Sequence, residues 1–323
     1  VLRRLALVIA VASAVVGAAF VVLQLFPTAQ YLHRGLAMLA AFTPYGVLVW
    51  LLVIALVLAA ARGRARLWAI PAALGALLQL VWAWGYLPGP APAAEGSPLR
   101  VASFNTYFGQ ADPDATAAQL SASDPDIIVL LEVGEEFIET PAMAALLDGY
   151  PHRGGLPTPR RATPINTLVA AREPLELIGR SAWTANHLVL GTTTADGEPV
   201  TLIAAHPSNM MQGVAKWRRE ASQLTDDVAA HVDDPLLVIG DLNTTREGAT
   251  YREITAPGLV NAAQQAGAGW QPTFSGSRRL PALIAIDHAL VNDQVAASHF
   301  ETFAVPGSDH RGIIVDVTVR PAG

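Results

Sequence analysis

Leu236 to Thr245 reads LLVIGDLNTT: a run of strand-type apolar residues ends in a glycine and then in a carboxylate, Asp241, and an amide, Asn243. A short apolar run closed by turn residues is the pattern of a strand covered on both faces. The same arrangement recurs in both directions along the chain. Upstream, VASFN ends on Asn105, IIVLLE on Glu132 and TLIAAH on His206. Downstream, Asp287 and His288 interrupt LIAIDHALV, and Asp309 and His310 precede RGIIVDV. Polar groups at strand ends converge on one rim of a sheet, where α/β scaffolds place their sites. Buried one at a time, each would cost a few kcal/mol without a partner, so clustering is the economical solution.

Around these anchors the pattern predicts strands over 99–105, 127–132, 167–171, 187–194, 200–205, 236–240, 288–291 and 312–319. Helical periodicity covers 112–123, 135–147 and 214–231. Asp196-Gly197 joins two of the strands as a hairpin. Residues 99–323 therefore form one mixed α/β domain, without an internal sequence repeat.

The polar set suits metal-assisted phosphoryl transfer. Hard cations prefer oxygen, and Glu132, Asp241, Asn243 and Asp309 supply it. Asp241 and Asn243 are two residues apart, so in extended chain both face one side. Together they can hold a water in line with phosphorus. His206 and His310 can protonate a leaving oxygen, and Asp287 is placed to orient one of them. A single GD-x-N is usually just a loop. The ordered set at successive strand boundaries is what separates this chain from that bland case.

The N-terminal part is a different object. All 27 acidic residues lie from Glu95 onward, with 15 of the 21 basic ones, so this part carries −12 and the first 94 residues +6. The acidic domain counts against nucleic acid as the main partner. With no Cys, disulfides, thiolate metal sites and cysteine nucleophiles are excluded. Leu5–Phe26, Leu36–Ala61 and Leu67–Leu87 are uncharged runs of 22, 26 and 21 residues. Each can cross about 30 Å of hydrocarbon as a helix. Arg3 and Arg4 ahead of the first run could open a signal peptide, but the run is long for one and two more follow. Residues 1–87 are thus expected to be a three-helix transmembrane anchor, and the stiff segment 88–98, PGPAPAAEGSP, a linker. Arg3, Arg4, Arg62, Arg64 and Arg66 against Arg34 alone place the N-terminus in the cytoplasm and the domain outside. Trp82, Trp84 and Tyr86 would form an aromatic belt at the outer interface. A linker of roughly ten residues would keep the site near lipid headgroups, making the bilayer and a membrane lipid or lipid-linked phosphate the expected partners.

SFNTYF, PDIIVLLEV, AAHPS, VIGDLNTT, IDHALV and SDHRGIIVDV together resemble the endonuclease/exonuclease/phosphatase superfamily over Ser103–Val317. The resemblance implies a four-layer α/β sandwich, two packed mixed sheets flanked by helices, and Mg²⁺ or Mn²⁺. It assigns Asn105, Glu132 and Asp309 to the metal and phosphate side. It gives His206, Asp241, Asn243, Asp287 and His310 catalytic roles, with Asp287 orienting a histidine. PINTLVAAREPL departs from the family pattern, and Asn166 and Arg161 are candidate phosphate contacts there. With its anchor, the chain also resembles the teicoplanin-resistance membrane proteins of the VanJ type. That implies a bacterial multi-pass membrane protein acting outside the membrane on undecaprenyl pyrophosphate or a similar lipid-linked phosphate, in antibiotic resistance. The competing expectations are a phospholipase C- or sphingomyelinase-like phosphodiesterase, an extracellular nuclease, and a receptor or scaffold on an inactive fold.

Overall fold

The computed structural model describes residues 1–155, 166–181 and 187–321. The chain forms two compact units: Val1–Leu87 with Arg246–Ala249, and Pro88–Thr245 with Thr250–Gly323.

The first unit is built on α1 (Leu2–Leu25), α2 (Arg34–Ala40), α3 (Gly46–Ala60) and α4 (Ala69–Trp82). Three helical stretches are long and apolar enough to cross a membrane: Leu2–Leu25, Thr43–Ala60 and Gly63–Tyr86. The second is shorter than the uncharged run suggests. α2 ends at Ala40, and a tight turn over Thr43–Tyr45 intervenes before α3. Pro44 sits in that turn, near the start of a helical segment, where its missing N–H would break a continuous helix from α2. Trp50 of α3 is the wedge of the bundle. A Cβ at Gly17 of α1 or Gly75 of α4 would lie 2.7 or 2.5 Å from its ring, so only glycine allows the close approach. Arg3 donates to Ala60 O at 2.6 Å and Arg66 to Ala61 O at 3.2 Å, which gathers basic residues from both sequence clusters at the C-terminal end of α3. Leu5, Val8, Val15, Leu48, Leu52 and Leu74 remain exposed, an apolar surface of the kind that lipid covers.

The second unit begins with Pro88 and Gly89 laid against its own Gly267 and Ala268, Gly89 N donating to Gly267 O at 3.0 Å. The last two residues of the expected linker already belong to a strand. The strands are β1 (Ser97–Asn105), β2 (Ile127–Val133), β3 (His152–Gly154), β4 (Asn166–Ala171), β5 (Glu176–Arg180), β6 (Leu188–Thr193), β7 (Pro199–Ala205), β8 (Leu236–Asp241), β9 (Val260–Asn261), β10 (Asp287–Val291), β11 (Val295–Ala304) and β12 (Arg311–Val319). The helices are α5 (Pro113–Ser123), α6 (Glu135–Ile138), α7 (Pro141–Leu147), α8 (Val214–Ala230), α9 (Ala249–Thr255) and α10 (Ala262–Gln265). The helix expected over 135–147 is two pieces, because Pro141 opens a new helix at its first position.

Two six-stranded mixed sheets result, ordered β11-β12-β1-β2-β4-β3 and β5-β6-β7-β8-β10-β9. Side-chain alternation explains the layers. Ile127, Val129 and Leu131 of β2 point into the core between the sheets with Leu237 and Ile239 of β8. Ile128 and Leu130 point the other way, onto Leu120 of α5 and Leu147 of α7. Ile203 and Val238 do the same for the second sheet, meeting Leu224 and Val228 of α8. Helix, sheet, sheet, helix is the expected four-layer sandwich. The two sheets share one plan that the sequence does not repeat. In each, a parallel pair (β1 with β2, β7 with β8) is flanked by an antiparallel strand (β12, β10). The C-terminal ends of each parallel pair and the N-terminal end of its antiparallel neighbour therefore lie on the same edge.

Candidate active site

These two edges meet at the polar residues. Asn105 ends β1 and Asp241 ends β8, and the Asn105 Nδ2 donates to Asp241 Oδ2 at 3.1 Å across the sheets. The Asn105 Oδ1 accepts from Tyr107 N at 2.9 Å, so the amide nitrogen faces the carboxylate. Ser308 Oγ donates to Asn105 O at 2.9 Å and accepts from His310 N at 3.0 Å, pinning the approach to β12 against the end of β1. Gly240 has φ of 142°, and a Cβ there would lie 2.2 Å from Ala205 O; the GD of the motif needs its glycine because β7 and β8 run so close.

Asp241 and Asp287 are paired across the β8–β10 ladder. Two facing buried carboxylates need a counter-charge, and His310 supplies it. Its Nδ1 bonds Asp287 Oδ2 at 2.9 Å, while Nε2 lies 3.8 Å from Asp241 Oδ2 and 3.9 Å from Asp309 Oδ1. Asp287 is held in turn by Thr273 Oγ1, 3.1 Å from its N. Burial alone would pull His310 down, but Asp287, Asp241 and the Asp287 hydrogen bond outweigh it and push the imidazole up to about 10. His206, just past β7, goes the other way. Its Nε2 lies 3.6 Å from both Glu132 Oε1 and Asp241 Oδ2, yet burial and the His310 charge lower it to about 4. One histidine is charged and one neutral at pH 7, the separation that divides acid from base roles.

Glu132 is aimed by a defect in its strand. The β2–β4 register shifts between Leu130 and Val133, and Glu132 takes φ of 53°. The bulge turns the carboxylate toward the rim, where its Oε2 accepts from Phe108 N at 3.0 Å. Tyr107, Phe108 and Asn243 also have left-handed backbone, at φ of 53°, 54° and 50°. Four such non-glycine residues at one rim are stored strain of the kind found at working sites. Asn243 is consequently not an extended-chain partner of Asp241. The chain turns, so that Asn243 N donates to Asp241 Oδ1 at 2.9 Å and Asn243 Nδ2 to Pro207 O at 2.9 Å. The two residues line one pocket through this turn instead of through strand alternation.

Glu132, His206, Asp241, Asn243, Asp309 and His310 all line that pocket. Asn105 and Asp287 stand directly behind it, holding Asp241 and His310. Asn166 does not: it starts β4, with its amide 3.4 Å from Val133 O. Arg161 lies outside the described residues. Strand alternation sends His288 to the opposite face from Asp287, where its Nε2 contacts Thr244 O at 2.9 Å. Sequence reasoning assigned no role to Tyr107, Phe108, Pro207, Ser208, Asn209, Gln212 and Phe274, which complete the lining. It also missed two supports on α8. Glu220 Oε2 accepts from Ser208 N at 2.7 Å, and Trp217 Nε1 donates to Asn243 O at 3.2 Å. Their only signal was a buried acid and a tryptophan on the apolar stripe of a helix.

The donor set fits a hard cation. Burial raises Glu132, Asp241 and Asp309, Asp241 to about 8, so the rim is short of positive charge when ionised. Asp309 Oδ1 is buried without a hydrogen-bond partner. One ligand atom each from Asp241, Asp287 and His310 lies within 4.8 Å of the others, and these three could hold an ion. Asp287 and His310 are already engaged with each other through a hydrogen bond, whereas Asp309 Oδ1 has no hydrogen-bond partner, so oxygens of Glu132 and Asp309 are the freer donors.

A model of the Endonuclease/Exonuclease/phosphatase family matches residues 102–310. The chain belongs to this family. Among solved structures, a family protein from Bacteroides thetaiotaomicron superposes with a TM-score of 0.56 at 15% identity, covering 70% of this chain and 99% of that one. A member from Bacteroides vulgatus gives 0.55 at 20%, covering 69% and 100%. A mannosyl-6-phosphatase from Bacteroides thetaiotaomicron gives 0.54 at 15%, covering 68% and 99%. No curated protein matches the chain. The family's phosphoesterase fold is thus present with a buried Asp–His cluster, an arrangement suited to hydrolysis.

Proposed function

We propose that the protein is a membrane-anchored, divalent-metal-dependent phosphoesterase that hydrolyses a lipid-linked phosphate or diphosphate ester at the outer face of the membrane. The observation that carries the reading is His310, fixed by Asp287, with its Nε2 3.8 Å from Asp241 in a pocket that also holds the carboxylates of Glu132 and Asp309. Glu132 and Asp309, with Asn105 beside them, would hold Mg²⁺ or Mn²⁺. The ion, when bound, neutralises charge on the phosphoryl oxygens. Asp241 orients the attacking water and accepts its proton. His310 donates a proton from Nε2 to the leaving oxygen, and Asp287 holds it in the required tautomer. Neutral His206 and the turn at Asn243 face the phosphoryl oxygens. The three apolar helices ahead of the domain support a lipid substrate and a place beside the VanJ-type proteins.

The direct test is phosphate release by the purified full-length protein from prenyl diphosphates, phospholipids and duplex DNA. Turnover is expected with Mg²⁺, to be abolished by EDTA and to favour the lipid phosphates. DNA as the better substrate by kcat/KM would overturn the choice of substrate. Activity that survives EDTA would overturn the metal.

Orientation is tested separately, since the chain has no Cys to confuse labelling. Asp196→Cys lies in an exposed hairpin turn and Ala65→Cys in the exposed connection before α4. The Arg imbalance predicts that Asp196→Cys reacts with an impermeant maleimide in intact cells, and Ala65→Cys only after permeabilisation. The reverse pattern would put the domain in the cytoplasm and end the outer-face reading.

A further inference from the structure

Phe274 to Ile284 leaves the pocket edge as a closed loop. Leu283 N donates to Phe274 O at 2.9 Å, so the ends meet. Its base is tied to the site: Ser275 Oγ donates to Asp309 O at 3.2 Å, and the Phe274 ring packs 4.8 Å from that of His310. The loop reads FSGSRRLPALI, with two arginines and no acid in a strongly acidic domain. The Arg278 guanidinium sits 5.6 Å from the centroid of Tyr107, which lines the pocket. Its charge also favours the ionised form of Asp309. Among the described residues Arg278 has no hydrogen-bond or ion-pair partner, and no Lys or Arg lines the pocket itself. Leu280, on the same loop, and Phe108, beside Tyr107, are exposed.

A guanidinium braced on an aromatic ring keeps its donor edges free and suffers little entropy loss when it grips an oxyanion bidentately. Three carboxylates line the pocket, and Arg278 is a cation beside it, among the described residues, for an anionic group of the substrate that is not reacting to meet. We infer that Arg278 is the subsite for a second phosphate, adjacent to the reacting one, which makes the substrate class a diphosphate ester. This rests on the phosphoesterase reading of the same pocket. The water oxygen bonds to the terminal phosphorus and its proton passes to Asp241. The bridging P–O bond breaks, its electron pair stays on the bridging oxygen, which takes the proton from His310 Nε2, and Arg278 meets the charge that remains on the lipid-side phosphate. The exposed Leu280 and Phe108 suit the hydrocarbon attached to it.

The test is binding by the full-length protein in detergent with Mg²⁺, read by calorimetry with two non-hydrolysable probes, farnesyl methylenediphosphonate and farnesyl phosphonate. Arg278→Gln should lower the preference for the diphosphonate over the phosphonate by about tenfold or more, the value of a charge-assisted pair. Arg278→Lys should restore part of it, and Arg279→Gln should leave the preference within about twofold. Equal weakening of both probes, or none, overturns the subsite. If the Arg278-dependent preference appears in a protein that hydrolyses no phosphoester, the subsite stands and the catalytic reading falls.

Discussion

Asp241→Asn is expected to lower kcat by at least ~10²-fold, measured as steady-state phosphate release in saturating Mg²⁺. Asp241 is the hub of the pocket. It accepts from Asn105 Nδ2 and Asn243 N, and both catalytic-side histidines face its Oδ2. Asparagine keeps the volume but removes the charge and the proton acceptor, and presents a donor where Asn105 already donates. The substitution should not cost stability. Burial lifts Asp241 from 3.8 to about 8, so ionising it opposes folding. Its contribution to the metal-free protein is fully present below the lower value and is lost as pH rises through the upper one. Melting of the metal-free wild type should therefore fall over that window more steeply than melting of Asp241→Asn. A variant that turns over at near-wild-type rate would end the proposed mechanism. One that is inactive because it is unfolded would show in the same melting curves.

His310→Ala should cost at least ~10²-fold in kcat on an alkyl ester, and the loss should depend on the leaving group. If His310 donates a proton from Nε2, a p-nitrophenyl leaving group needs that proton far less, and the deficit should shrink. The imidazole stays protonated up to about 10, so it is a competent acid throughout the neutral range. Asp287→Asn should show the same leaving-group dependence with a smaller loss, because Asp287 acts through the orientation of His310. An equal deficit on both leaving groups would reduce His310 to an electrostatic role and remove the acid from the scheme.

The candidate site was legible in the sequence to the extent that its residues sit at strand ends. Asn105, Glu132, His206, Asp241, Asp287 and His310 each close or open an apolar run, and the folded domain brings all six together. The edge strand β11 was not legible. VAASHFETFA has a register shift between Ala297 and His299 that breaks its alternation, and half of it faces solvent. β5 escaped for a similar reason, being a largely exposed edge strand in which only the Gly179 position is partly covered. Gln212 and Phe274 carry no local mark of function. They reach the pocket because loops far apart in the chain close over it.

By itself the sequence determined the four inner strands of each sheet, the helices α5 and α8, and the residue types at the rim. Those follow from properties read within a few residues: charge, hydrophobic period and the turn chemistry of glycine and proline. Only the tertiary structure decided how the rim is aimed. It placed Asp287 on Nδ1 of His310 and left Nε2 to the pocket, and it made the two histidines differ in charge. It turned Glu132 inward through a bulge and Asn243 through a left-handed turn. It also set Arg278 over Tyr107. Each of these is a pairing between distant segments, and its energy depends on burial and distance, quantities that exist only once the two sheets have packed.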